Sequence, residues 1–268
     1  MAVRARYFTD PLCPRSWALE PMLRLLEVRY AGSLAIEPVA VGLFRDPPRD
    51  ASAALERARD LLEAAKTPGM PVDPRVWIGR EPIRSSHPAC LAVHAAVELD
   101  SARVPWLLRR LREAALCEQQ RVDGVAALCE LAAAVGYERE RFARALESNA
   151  TLERFGAAIE EGRAAQARAG SEHLTPLFEF DFGDRKVVAS ASMSAVEAVL
   201  AQGGVTAGRI DESPASLLRR FRSLTASELA SCLDLPLPRA HAELWAEVLA
   251  WRAQPVAVTG GGFLFRAA

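Results

Sequence analysis

The sequence predicts an α/β protein: a β-α-β unit first, a β-β-α unit ending near residue 204, and a helical insertion between them. Three observations carry this. Val3 to Phe8 reads as a strand, and a helical pattern follows it, with Leu19, Met22, Leu23, Leu26 and Tyr30 spaced by three and four. From His87 to Phe155 the periodicity is helical with brief breaks. Thr175–Phe182 and Arg185–Ser190 are short β-rich runs about a Gly183-Asp184 turn, which makes a hairpin.

In order, Trp17–Tyr30 reads as the first helix and Leu34–Val41 as the second strand, whose crossover should be right-handed. Arg45-Asp46-Pro47-Pro48-Arg49-Asp50 is a turn-rich break. Ala51–Lys66 has helical composition, and Thr67-Pro68-Gly69-Met70-Pro71-Val72-Asp73-Pro74 can only be loop. Helical runs follow through Leu91 and Ala95, through Leu107, Leu108 and Leu111, through Leu128 and Leu131 up to Gly136, and through Phe142 and Leu146. Leu152–Ala169 is one helix ended by Gly170, and Ser194–Leu200 another closed by Gly203-Gly204. Thr175–Phe182 is expected to alternate outward and inward positions.

The tail forms a separate unit. Ser216–Leu224 and Pro238–Trp251 are helical, and Thr225–Leu233 starts with Thr225 as N-cap and Glu228 three residues on. Pro255–Val258 and Phe263–Phe265 flank Gly260-Gly261-Gly262 and suggest a hairpin. Three helices and a hairpin resemble a small winged-helix module, with Trp245 and Trp251 expected in its core. The expected organisation is 1–48 and 151–204 as two halves of one domain, 49–150 as an inserted all-helical domain, and 205–268 as the C-terminal module.

Composition excludes several classes. The 268 residues are 50% hydrophobic and 25% charged, as in globular proteins, with ample length for a core. The net charge of −1 gives no global attraction to nucleic acid or anionic membrane. No apolar run is long enough to span a bilayer, and the N-terminus lacks an apolar signal core, so a cytoplasmic protein is expected. Cysteines at 13, 90, 117, 129 and 232 are odd in number and unpaired in spacing, which argues against a disulfide framework.

The chemistry concentrates at Cys13, where a strand hands over to a helix. A sulfur there faces unpaired N–H groups and the positive end of the helix dipole, which favour a thiolate nucleophile. Pro14 suits the first helical turn, whereas Pro21 should kink the helix. Phe8-Thr9-Asp10-Pro11-Leu12-Cys13-Pro14-Arg15-Ser16-Trp17 resembles the active-site segment of thioredoxin-like proteins, above all the DsbA/FrnE-type branch, where an acidic residue and a Pro precede C-P-x-C or C-P-x-S. Pro82–Val93 looks like the start of that branch's inserted helical domain, and Leu174-Thr175-Pro176-Leu177 like the strand carrying its cis-proline. The resemblance covers about the first three quarters of the chain. It implies a thioredoxin-like fold, Cys13 and position 16, here Ser16, as catalytic residues, and Pro14, Thr175 and Pro176 against the substrate. Arg15, which replaces the aromatic or small residue more usual there, joins the substrate-binding candidates on its own chemistry.

Ser16 departs from the dithiol pattern. A serine cannot resolve a mixed disulfide, but it can donate a hydrogen bond to Cys13 or cap the helix. An external thiol, with glutathione as the candidate co-substrate, would then resolve; Cys90 is the internal candidate. Arg15 can bind a carboxylate such as glutathione's, or simply face solvent. Two further readings follow from the resemblance. Kappa-class glutathione transferases and hydroxychromene-carboxylate isomerases share the insertion pattern, with Ser where Cys13 stands. A related adaptor delivers a regulator to a bacterial protease, which would give the C-terminal module a protein partner.

His87, Cys90 and His94 share a helix face, but zinc needs closer ligands, so surface histidines and core cysteines are expected, with no bound metal. The tail from Arg209 to Ala268 holds seven Arg and six Asp or Glu. Its longest helix mixes signs instead of showing a basic stripe, which argues against DNA binding.

Overall fold

Strand β1 (Val3–Thr9) is central because it is buried on both faces from Tyr7 onward. It pairs in parallel with β2 (Leu34–Ala40) and antiparallel with β3 (Leu177–Asp181), which pairs with β4 (Lys186–Ser190), giving the order β2-β1-β3-β4. The computed structural model describes residues 2–46 and 50–268. The Pro47-Pro48-Arg49 part of the turn-rich break, and the domain boundary set at 48 and 49, lie outside the described residues.

The expected first helix is two, α1 (Pro14–Ala18) and α2 (Glu20–Arg29). Pro21 is the reason: it has no N–H for the carbonyl of Trp17, so the helix breaks at Leu19 and restarts. The dipole behind Cys13 is therefore that of about one and a half turns, smaller than the sequence suggests. α2 and α10 (Met193–Gln202) cover one face of the sheet, where Tyr7 stacks on Phe178 with centroids 5.0 Å apart. α9 (Asn149–Ala169) covers the other, where Phe8, Val41, Ala165 and Leu177 meet. Helices on both sides bury β3 from Leu177 to Phe180, so its expected outward-inward alternation fails. Glu179 is buried and held by Arg168, Arg6 and Lys186.

Helices α3 (Ala51–Lys66), α4 (Arg75–Ile78), α5 (His87–Asp100), α6 (Val104–Leu116), α7 (Val125–Ala134) and α8 (Arg139–Leu146) fill the space between the sheet's halves. They share one large apolar core with Leu12 and Trp17 of the first turn. α3 packs on α1. His94 of α5 is buried, with Nε2 2.7 Å from the carbonyl of Ala40, so it is not the surface histidine expected. Little of α5 turns outward: even Leu91, Val97 and Glu98 are half-buried.

The tail contains α11 (Pro214–Phe221), β5 (Ser223–Leu224), α12 (Ala226–Leu233), α13 (Leu237–Leu249), β6 (Ala253–Ala257) and β7 (Phe263–Ala267), with sheet order β5-β7-β6. Both halves of the Thr225–Glu228 capping box form. Ser223-Leu224, expected as helix, is a strand because Arg222 ends α11 at φ +64° and the next two residues pair with β7. Trp245 packs on Phe263 and Phe265, but Trp251 is 90% exposed. α13 stops at Leu249, and Trp251 takes φ +61° beyond it, which turns the indole away from the core.

α12 lies along α2, and charges seal this junction. Arg109 of α6 grips Glu228 of α12 through two bonds of 2.7 and 2.9 Å, Glu20 of α2 at 3.1 Å and Glu113 at 2.8 Å. Arg24 reaches Glu20 at 3.0 Å and Glu228 at 3.3 Å, and Arg112 also pairs with Glu20. All six groups are buried. At Gly260, a Cβ would stand 1.8 Å from the carbonyl oxygen of Val72, so the β6–β7 turn rests directly on the 67–74 loop.

Candidate active site

Cys13 is the N-cap of α1, at φ −73° and ψ 118°. Its N–H donates to the Asp10 carbonyl at 3.2 Å, and the buried Asp10 carboxylate accepts from the N–H groups of Leu12 at 2.7 Å and Leu43 at 2.6 Å. The carboxylate thereby ties the turn to the stretch that follows β2. Cys13 Sγ accepts two hydrogen bonds, from the Ser16 N–H at 3.4 Å and from the Thr175 hydroxyl at 3.3 Å. The Thr175–Pro176 bond is cis, and Thr175 is buried where β3 begins. Residues 162 positions apart thus meet at one sulfur.

Ser16 is placed differently from the expectation. Its backbone N–H, not its hydroxyl, meets the sulfur. Ser16 Oγ turns inward and accepts from Thr9 Oγ1 at 3.0 Å, and Thr9 accepts in turn from Arg112. Ser16 is 0% exposed, because the side chain at this helix position faces the sheet. Pro14 is half-buried and Arg15 exposed. Arg15 has no ion-pair or hydrogen-bond partner among the described residues.

Only 3% of Cys13 is exposed, and it lines a cavity of about 480 Å3. The walls are Pro14, Arg15, Leu43, Asp60 and Glu63 from α3, and the Glu172–Thr175 segment. A larger groove of about 810 Å3 lies between β2, α5 and α9, but it holds no cysteine.

The five cysteines are all free. Burial, then the adjacent Asp10 carboxylate, pushes the Cys90 thiol well above its ordinary range; its Sγ donates to Asp10 Oδ2 at 3.4 Å. Cys90 is therefore held as a thiol donor, a poor state for the internal resolving role. Burial also raises the thiols of Cys117 and Cys129, and that of Cys232 to about 12. Among the described residues no three His, Cys, Asp or Glu side chains converge as metal ligands, and no helix is long and apolar enough to cross a membrane.

Removing the Thr175 hydroxyl tests the contact. Thr175→Val keeps the shape and deletes a donor to a sulfur that turns anionic when it reacts. Part of the lost stabilisation returns as higher nucleophilicity, so Cys13 modification should slow by roughly 3- to 10-fold at pH 7. Stopped-flow reaction with an aromatic disulfide reads this directly.

Sequence reasoning found Pro14, Arg15 and Thr175 but missed the rest of the cavity walls. Asp60 and Glu63 sit on an amphipathic helix and look like an ordinary solvated face, and Leu43 falls in a stretch without periodicity.

The profile of the family described as Thioredoxin matches residues 7–160, more than half of the chain. Two relatives named ClpXP adapter protein SpxH are similar to it. That of Halalkalibacterium halodurans is 33% identical over 147 residues, 53% of this chain and 48% of the relative, so the match spans about half of that protein. That of Bacillus subtilis is 26% identical over 269 residues, 96% of this chain and 86% of the relative, and so takes in most of the C-terminal module. A putative protein disulfide isomerase from Nitrosomonas europaea superposes with a TM-score of 0.65 at 18% identity, over 75% of this chain and 95% of its own. The cytosolic disulfide reductase DsbM from Pseudomonas aeruginosa gives 0.61 at 24% identity, over 74% and 99%, and has also been solved with GSH. The chain belongs to the thioredoxin family.

Proposed function

We propose that the protein carries out thiol–disulfide exchange through Cys13 alone, with an external thiol such as glutathione completing the cycle. The observation that supports this most is the convergence of the Ser16 N–H and the Thr175 hydroxyl on Cys13 Sγ beside a cis proline. The thiolate attacks a disulfide R–S–S–R in line. One S–S bond breaks, a mixed disulfide between Cys13 and R–S forms, and R–S⁻ leaves, taking the proton that Cys13 gave up to solvent. The two donors at Sγ stabilise the anion before attack and again when Cys13 leaves. Thr175 offers its backbone beside the sulfur for an extended substrate. Ser16 provides no second thiol, so a second R′–S⁻ releases R–S–S–R′ and restores Cys13. DsbM solved with GSH lends weight to glutathione as R′. The protein is expected to work in the cytoplasm, where glutathione is held reduced.

Wild type should reduce a fluorescent disulfide peptide in glutathione buffer above the uncatalysed rate. Cys13→Ala should return it to background. Equal rates for the two would refute the enzymatic reading.

One observation favours a second reading. The similarity to the Bacillus subtilis ClpXP adapter protein SpxH covers 96% of the chain and so takes in most of residues 205–268, beyond the thioredoxin-like part. As an adaptor, the protein would present a partner to ClpXP through its C-terminal module, with Cys13 as a sensor or a bystander. Binding to purified ClpXP that survives Cys13→Ala supports this reading; absence of binding removes it.

A further inference from the structure

Resting on the exchange reading, we infer that the Cys13 cavity selects disulfides that carry positive charge close to the sulfur. The cavity walls hold Asp60, Glu63 and Glu172 against Arg15. All four side chains are exposed, so their charges act at the mouth and not in the core. Glu63 is offset by Arg59 at 2.9 Å. Asp60 and Glu172 have no ion-pair or hydrogen-bond partner among the described residues, which leaves two uncompensated carboxylates in a lining whose basic side chains are the Arg15 guanidinium and the His173 imidazole. Asp60 lies on α3 and Glu172 in the segment before Thr175, so two different stretches of the chain each bring a carboxylate to the cavity that holds the sulfur. A cation on the incoming disulfide lowers the charge that these carboxylates leave at the mouth.

The reaction itself adds to the preference. The thiolate and the departing R–S⁻ are both anions in a mouth that already carries excess negative charge. A substrate ammonium or guanidinium neutralises that charge as it builds, whereas a substrate carboxylate adds to it. Arg15, with the His173 ring also in the lining, can dock a carboxylate, which suits a substrate with a single acidic group set apart from its cation. Glutathione disulfide has two ammonium groups and four carboxylates, so it should react slowly. A cysteine flanked by Lys or Arg in a protein, or a small aminothiol disulfide, fits the mouth better.

The test uses the full-length protein and two pairs of disulfides. Cystamine is compared with dithiodipropionate, and a Lys-Cys-Lys peptide disulfide with its Glu-Cys-Glu counterpart. Each rate of Cys13 adduct formation is read by intact mass and divided by the rate with a free small thiol, which removes intrinsic reactivity. The cationic member should be favoured by roughly 5- to 10-fold at low salt. At 0.5 M salt, where the screening length is a few ångströms, the preference should fall to about 2-fold. The Asp60→Asn, Glu172→Gln double variant should lose most of it. Preference in the peptide pair alone would assign a protein substrate, and in both pairs a small cationic disulfide as well. If adducts form with no charge preference, selectivity is wrong while exchange at Cys13 stands. If no disulfide forms an adduct, the exchange reading fails, and the inference with it.

Discussion

Ser16→Cys should shorten the lifetime of a Cys13 mixed disulfide by roughly 100-fold or more, because it turns resolution from a bimolecular step into an intramolecular one. Ser16 is the third residue of α1 and Cys13 its N-cap, and in helices a side chain at the third position can reach back to the cap. The wild-type hydroxyl does not do so because Thr9 holds it from below. A sulfur at position 16 is a weaker acceptor and should release Thr9, at a stability cost of about 1 kcal/mol. Quenched-flow mass spectrometry should show the adduct decaying into a species two mass units lighter than the reduced variant, with a disulfide between Cys13 and the introduced thiol. An unchanged adduct lifetime would show that position 16 cannot approach the sulfur.

The second large effect concerns stability. Glu20 is buried and shared among Arg24, Arg109 and Arg112. Burial alone would push its carboxyl up, but the three guanidinium groups, Arg24 first, overcome this and bring it down to about 2. Glu20→Ala removes the carboxylate paired with the buried Arg112 and one of those shared by Arg24 and Arg109, a loss of about 3–5 kcal/mol and roughly 10 °C in Tm. The native value lies below the ordinary 4.5 of the free side chain, so the stabilisation is present in full above that pH. It is lost as pH falls from about 4.5 toward 2, and amounts to about 3 kcal/mol when complete. Glu113 adds to the same trend: burial pushes its carboxyl up, but Arg109 and then Arg266 outweigh this and lower it. Chemical denaturation from pH 7 to pH 2.5 should show wild type losing stability steeply in that window and Glu20→Gln losing distinctly less. Parallel curves would mean that Glu20 is not ionised in the native state.

The junction shows what could be read from the residues and what could not. The strand-to-helix turn at Cys13 and the Thr175-Pro176 strand are local patterns, and their meeting follows from the order β1, β3 once the fold is recognised. Helix spans were legible from periodicity, and α3 falls on the residues expected of it. Arg109 and Arg112 were not legible. On α6 they read as part of a solvated charged face, and they are buried because α2 and α12 close over that face from distant parts of the chain. His94 follows the same rule: its burial depends on a carbonyl 54 residues away. Trp251 shows the opposite failure. A tryptophan near a helix end suggests core, but one residue at positive φ decides its direction. For Ser16 the residue type was informative about what is missing, a second thiol, and silent about where its hydroxyl points.

The most direct test exposes wild-type protein to excess disulfide and determines its intact mass, followed by peptide mapping. Four of the five cysteines are buried with raised thiol pKa values, so they should stay unmodified under native conditions. A single addition mapped to Cys13, persisting until a small thiol is supplied, is the expected result. An unmodified Cys13, or labelling that appears first at Cys90, Cys117, Cys129 or Cys232, would contradict a reactive sulfur at the start of α1.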